Sequence, residues 1–176
     1  KNQVRNLRKD IQFIFQDPNA SLHPSKTVGN CIHEVLSVHY SNKKIKNHQR
    51  IVDLLNKVGL TEEYINRYPH ELSGGQRQRV IIARALAVDP KVLICDESVA
   101  ALDISIQAQV LNLLNDLKKN LGLSYLFISH DLSIVKHMSD RIMIMREGDI
   151  IEIQEADDLY RNPKTNYTKK LIDAVL

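Results

Sequence analysis

Leu72-Ser73-Gly74-Gly75-Gln76 opens a stretch in which Val80, Ile81, Ala83, Ala85 and Leu86 recur at helical spacing until Pro90. A serine followed by two glycines at a helix start presents unpaired backbone N–H groups and the positive end of the helix dipole, and glycine lets an anion come close to the backbone. The stretch therefore reads as a phosphate-binding helix start. Serine is also a preferred N-cap, so the same letters suit an ordinary helix cap. The surrounding sequence decides between the two.

Outward from that turn the pattern alternates. Residues 11–15 form a short apolar run that breaks at Gln16-Asp17-Pro18-Asn19, which is read as a turn. From 28 to 87 the period is helical: Cys31, Ile32, Val35, Leu36 and Val38 form one set, Ile51, Leu54, Leu55 and Val58 a second, and Gly59 closes it. After Pro90 a run over 92–95 leads into Asp96-Glu97, residues 104–121 are amphipathic, and 125–128 are β-like and end in Ser129-His130-Asp131. A short helix over 132–137 follows, then a hairpin over 141–145 and 150–153 about Glu147-Gly148-Asp149. The tail carries two short amphipathic helices on either side of Asn162-Pro163. Strand–helix–strand alternation implies an α/β body with a parallel sheet, interrupted by a helical insert. The expected divisions are 1–27 (core strand and following loop), 28–88 (helical subdomain), 89–155 (remaining core) and 156–176 (C-terminal helical extension).

Composition narrows the function classes. The 176 residues are 43% hydrophobic and 26% charged, as in an ordinary globular domain, and the net charge of +3 is too small to imply nucleic-acid binding. No run has the apolar length of a membrane span. Cys31 and Cys95 stand far apart, so a reduced compartment is expected rather than a disulfide scaffold, and the seven histidines lack metal-ligand spacing. The chain opens on Lys1, with neither initiator methionine nor signal peptide, and is read as an internal stretch of a longer protein.

Chemistry concentrates at strand ends. Ligands of open α/β sheets bind beyond the carboxyl ends of the strands, where Gln16, Asp96, Glu97 and His130 stand. Adjacent carboxylates after a buried strand suit a division of labour: one orders a magnesium ion through its water shell, the other orients and deprotonates a water. A solvated acidic turn and a structural histidine are the plainer readings of each taken singly.

Five segments together resemble one family. Phe15-Gln16-Asp17-Pro18, Leu72-Ser73-Gly74-Gly75-Gln76-Arg77-Gln78-Arg79, Leu93-Ile94-Cys95-Asp96-Glu97, Ala101-Leu102-Asp103 and Ile128-Ser129-His130-Asp131 resemble the Q-loop, signature motif, Walker B, D-loop and H-loop of the ATP-binding subunits of ABC transporters. The segments at 17–24, 104–114 and 162–168 resemble the oligopeptide, dipeptide and nickel importer subgroup. The implied fold is a P-loop NTPase (RecA-like) core, its parallel sheet centred on Walker B beside the strand that feeds Walker A, with an inserted α-helical signature subdomain.

The resemblance also implies roles. Ser73, Gly74, Gly75 and Gln76 contact ATP held mainly by a second ATP-binding subunit, Asp103 crosses the seam between the two, and His130 contacts the γ-phosphate. Glu97 is the general base on water, Asp96 holds Mg2+ partly through water, and Gln16 reaches both metal and water. Residues 20–33 are candidates for docking membrane permease subunits, through which a substrate-binding protein delivers solute; Leu22, Val28 and Ile32 are individually better read as core. The basic run Lys43-Lys44-Ile45-Lys46 is read as a solvated helix start, with a lipid-headgroup contact as the alternative. The implied location is the cytoplasmic face of the cell membrane.

Two departures stand out. No G-x-x-x-x-G-K-[ST] occurs, the six glycines lying at 29, 59, 74, 75, 122 and 148, so the Walker A part of the core is expected before Lys1 and this polypeptide alone is expected to be inactive. Without that strand and its helix the core is expected to be incomplete, with an exposed sheet edge. Ala100 and Ser98 stand where the family usually has serine and proline or alanine, which affects one seam hydrogen bond. A soluble ABC ATPase outside transport, an exporter subunit, and a non-catalytic interface fragment are the competing readings.

Overall fold

The computed structural model describes residues 2–40 and 44–174, apart from the side chains at 2, 3, 5, 6, 19 and 44–47. The chain divides into two units, Lys1–Leu126 and Phe127–Leu176. In the first, helix α1 (Asn2–Asp10) leads into strand β1 (Ile11–Ile14), followed by α2 (Pro18–Ser21), α3 (Val28–His39) and α4 (Lys44–Lys57). Two 3-10 turns (Glu62–Asn66 and Pro69–Glu71) precede α5 (Gly74–Leu86), β2 (Val92–Asp96) and α6 (Ile104–Leu121), and the unit boundary falls within β3 (Ser124–Ile128). The second unit holds α7 (Leu132–Met138), β4 (Arg141–Arg146), β5 (Asp149–Glu155), α8 (Ala156–Arg161) and α9 (Asn166–Asp173).

The expected α/β body with a parallel sheet is present. β1 and β2 pair in parallel, Ile11 with Val92 through Ile14 with Cys95. Parallel neighbours cannot be joined by a tight turn, so the chain between them makes the long helical excursion that holds α2 to α5. Period-two alternation buries Ile14, Leu93 and Cys95 on one face and leaves Phe13 on the other, its ring stacked on that of Phe15 with centroids 5.7 Å apart. The strand order β1-β2-β3 corrects one implied detail: β2 is central, but both its edges are taken, so its neighbour on each side is β1 or β3 and not a strand from outside. Two local readings also change. Residues 2–10, unread in the sequence, form a helix, and the turn expected at 16–19 continues into one turn of helix at Pro18–Ser21.

The helical insert follows its apolar spacing. Thr27 caps α3, its Oγ1 accepting the Asn30 N–H at 3.3 Å, and Val28, Cys31, Ile32 and Leu36 are buried behind the cap. In α4 the buried stripe is Ile51, Leu54 and Leu55, continued by Val58, and Gly59 ends it at φ 71°, a left-handed conformation that glycine adopts without steric cost. Leu22, Val28 and Ile32 are core residues. The side chains of the Lys43–Lys46 run lie outside the described residues.

The second unit has its own small core. Ile142 and Ile144 on β4 pack with Leu132 and Val135 of α7 and with Ala156, Leu159 and Ile172 of the two last helices. The hairpin turns at Glu147 and Gly148, both at positive φ, as a two-residue turn between right-twisted strands requires. Glu152, buried on β5, fastens the tail: it accepts the backbone N–H of Lys164 at 2.9 Å and of Thr165 at 3.2 Å, the Thr168 hydroxyl at 2.7 Å, and the Gln154 amide. Burial pushes this carboxyl up, but the four hydrogen bonds outweigh it and hold the group down at about 2. A folded-state value below the unfolded one, about 4.3, stabilises the fold above that unfolded value, and the stabilisation is lost as pH falls through about 2. Glu152→Gln should therefore cost about 1–3 kcal/mol in urea unfolding at neutral pH and flatten the acid limb of stability below about pH 4.5. An unchanged acid limb in the variant contradicts the assignment.

Candidate functional site

Helix α5 is built to hold its first turn in place. Its inner face, Gly75, Gln78, Val80, Ile81, Ile82, Ala83, Ala85 and Leu86, is buried, and its three arginines reach carbonyls of three separate segments. Arg77 Nε donates to Pro69 O at 2.7 Å, Arg79 donates to Val58 O at 2.7 Å, and Arg84 donates to Ser21 O. Each arginine is a charged donor paired to a backbone carbonyl of a different segment, so the helix is braced along its length. The sequence signal for this bracing was present as arginines at 77, 79 and 84 within an otherwise apolar periodicity. Which carbonyls they reach depends on the fold.

At the start of α5 the capping reading of the Ser-Gly-Gly turn is realised. Ser73 Oγ accepts the Gln76 N–H at 3.3 Å while Gln76 Oε1 accepts the Ser73 N–H at 2.9 Å, a reciprocal capping box. The Gln76 amide then donates to the Tyr64 hydroxyl at 2.9 Å. Capping uses Ser73 Oγ as an acceptor and leaves its O–H able to donate. Gly74 and Gly75 occupy first-turn positions, where a helix supplies no carbonyl to the N–H groups. Gly74 is exposed and Gly75 buried. Gln78, two residues past the capping glutamine, is wholly buried, and among the described residues neither of its amide atoms has a hydrogen-bond partner.

The carboxyl end of β2 carries the second cluster. Asp96 is the exposed last residue of the strand, and Glu97 follows it in the left-handed region at φ 44°. Non-glycine residues adopt that region at a cost and are held there by their surroundings, often at functional sites. The Gln16 side-chain amide, just beyond the end of neighbouring β1, donates to Glu97 Oε2 at 2.6 Å. Parallel pairing explains the meeting: strands in register deliver their carboxyl ends to one edge, so residues 81 positions apart become neighbours. Beneath them, burial pushes the Cys95 thiol up to about 12, which makes it an inert core residue.

Past Glu97 the chain turns tightly, with Ala100 N–H bonded to Glu97 O at 3.1 Å and Leu102 N–H to Val99 O at 3.2 Å. Asp103 N-caps α6 through its backbone, and its carboxylate makes no capping bond. Gln107 ties this turn to the helix, its N–H bonding Asp103 O at 2.8 Å and its amide Val99 O at 3.4 Å. Gln16, Ser73, Gly74, Gly75, Gln76, Asp96, Glu97 and Asp103 all lie in the first unit. His130 lies in the second, one residue before Asp131, whose carboxylate caps α7 by accepting the N–H groups of Ser133 and Ile134.

Oxygen donors dominate the strand-end cluster, as a hard divalent cation requires. Among the described residues no three histidine, cysteine, aspartate or glutamate side chains converge as a ready-made metal site. A separate cavity of about 320 Å³ opens beside the start of α3, lined by Thr27, Asn30 and His33 on one side and by His48, Ile65 and Asn66 on the other. The sequence named only the first side of it.

The model of the ABC transporter family matches residues 1–100. The chain is 53% identical over 176 residues to the oligopeptide transport ATP-binding protein OppF of Bacillus subtilis, covering 99% of this chain and 58% of that protein. It is 52% identical to OppF of Salmonella typhimurium, covering 99% of this chain and 52% of that protein. It is also 52% identical to the glutathione import ATP-binding protein GsiA of Pectobacterium atrosepticum, covering 98% of this chain and 28% of that protein. The chain thus spans roughly half the length of the OppF relatives. Among solved structures, cbiO1 from Clostridium perfringens, part of the ABC transporter complex cbiONQ, superposes with a TM-score of 0.81 at 29% identity, over 92% of this chain and 63% of that one. The ATP-binding cassette MJ0796, described as a dimer bound to ADP and Pi, superposes with a TM-score of 0.73 at 28% identity, over 89% of this chain and 67% of that one. Family model, sequence relatives and fold agree, and the chain belongs to the ATP-binding proteins of the ABC transporter family.

Proposed function

We propose that this chain is the signature-bearing part of an ATP-hydrolysing subunit that energises import of oligopeptides, dipeptides or nickel. The observation that carries the reading is the convergence of Gln16 on Glu97, with Glu97 in a left-handed conformation directly after the acidic end of a buried strand. Relatives named for oligopeptide transport and glutathione import support the importer class over an export or non-transport role. In this reading Glu97 takes a proton from water as the water oxygen bonds to the γ-phosphorus and the bond to the bridging oxygen of ADP breaks. Asp96 and Gln16 would hold a magnesium ion, partly through water, and the ion would supply charge neutralisation for the phosphate oxygens. His130 contacts the γ-phosphate and helps fix the water.

The partner follows from what the chain offers. Ser73 and the first-turn N–H groups of α5 donate to the γ-phosphate of an ATP held by a second ATP-binding subunit, and Asp103, whose side chain is not used as a cap, crosses the seam. Permease subunits dock at the exposed side of residues 20–33, where His23, Asn30 and His33 are exposed and the cavity beside α3 opens. A substrate-binding protein acts through those permeases. No helix among the described residues is long and apolar enough to cross a membrane, which fits a subunit that meets the membrane through its partners on the cytoplasmic face.

Glu97→Gln in the intact subunit should leave ATP binding within about threefold while lowering steady-state hydrolysis by at least about a hundredfold, the scale of a lost general base. Hydrolysis at the parental rate would remove the central assignment. The present polypeptide, which contains no G-x-x-x-x-G-K-[ST], should neither bind ATP tightly nor hydrolyse it. Calorimetry on the isolated chain checks this, and micromolar affinity would count against it.

A further inference from the structure

We propose that the two glycines of the α5 turn answer to different neighbours: Gly74 is bare for the ligand, whereas Gly75 is bare because Ile106 of α6 fills the place of its β-carbon. Ile106 is then the residue that positions the turn. The positioning role rests on the reading of this turn as a phosphate half-site; the packing relation does not.

A β-carbon added at Gly75 would stand 2.5 Å from Ile106 Cγ2 and 3.8 Å from Ile106 Cβ. Apolar carbons settle at about 3.5–4.0 Å, so an alanine would have to push the two helices apart by about 1 Å. Ile106 cannot easily yield, because Cγ2 is fixed directly on Cβ and a β-branched side chain within a helix has one strongly preferred χ1. At Gly74 the nearest atom to an added β-carbon is Leu102 Cδ2, at 3.4 Å, the far end of a side chain with two free torsions. The protein itself tolerates a methyl there. Glycine at 74 is therefore needed only if something outside the chain must approach, while glycine at 75 is demanded from within.

The contact has a positional consequence. Ile106 is the third residue of α6, and the same helix start carries Asp103 and is tied by Gln107 to the turn that follows Glu97. One side chain thus sets how deeply α5 seats against the element that bears the seam aspartate. Ser73 and Asp103, which the partner's nucleotide must meet together, are held in fixed relation by this wedge.

The test uses the intact subunit in a Glu97→Gln background, where blocked hydrolysis should let ATP-bound assemblies accumulate. Gly75→Ala should lower Tm by several degrees, even though alanine is favoured over glycine in a helix. It should weaken ATP-driven association, read by light scattering, by about tenfold or more. Adding Ile106→Leu, which deletes the Cγ2 branch and keeps the apolar volume, should restore Tm and association together. Ile106→Ala serves as the second relieving change. Gly74→Ala should not lower Tm but should lose association, with no rescue from position 106. The proposal is overturned if Gly75→Ala keeps the parental Tm, if neither relieving change recovers Tm, or if Tm recovers while association does not. If the parent shows no ATP-driven association at all, the half-site reading fails, and the melting data still decide the packing relation.

Discussion

Close packing of α5 is the constraint on which the first unit depends. The helix touches α2, α3, α4, α6 and β1, and its buried face runs almost unbroken from Gly75 to Leu86. A helix this enclosed cannot shift without opening voids or colliding with neighbours, because interiors are packed at crystal-like density. Its first turn is therefore a rigid platform, and rigidity is what the proposed meeting with another molecule's phosphate requires. The arginines at 77, 79 and 84 reinforce this by making backbone carbonyls of three other segments into anchoring points.

The second constraint is the parallel register of β1 and β2. It delivers Gln16 and Glu97 to one edge, and it does so whatever lies between them in sequence. The cost appears at Glu97, whose positive φ is of the kind that stores about 1–3 kcal/mol and persists only when surrounding structure over-determines it. The bond from Gln16 and the turn bond from Ala100 N–H to Glu97 O are part of that surround. The strained residue is also the one assigned the base, consistent with the general placement of backbone strain at working sites.

Much of this was legible beforehand, for identifiable reasons. Helices α3, α4, α5 and α6 announce themselves because a stripe at three-to-four spacing must face a core. The hairpin announces itself through Glu147-Gly148, since few dipeptides suit a two-residue turn. The motif residues were legible as letters through their family resemblance. What failed was local: α1 carries little apolar signal beyond Val4 and Leu7, and the single helical turn at Pro18–Ser21 depends on packing against α5. The strand order around β2 was also misjudged, because pairing partners are a property of the assembled sheet.

The sequence already carried the class of fold, the kinds of chemical group available and the turn that could present them, because periodicity and side-chain chemistry are local properties. It could not say that Gln16 meets Glu97, that Ser73 and Gln76 cap each other while Gln76 also holds Tyr64, or that Gly75 faces Ile106. Those are contacts between distant segments, set by parallel register and by the depth at which α5 and α6 pack. Two adjacent glycines with the same letter thus acquire different reasons to exist only when the helices that flank them are in place.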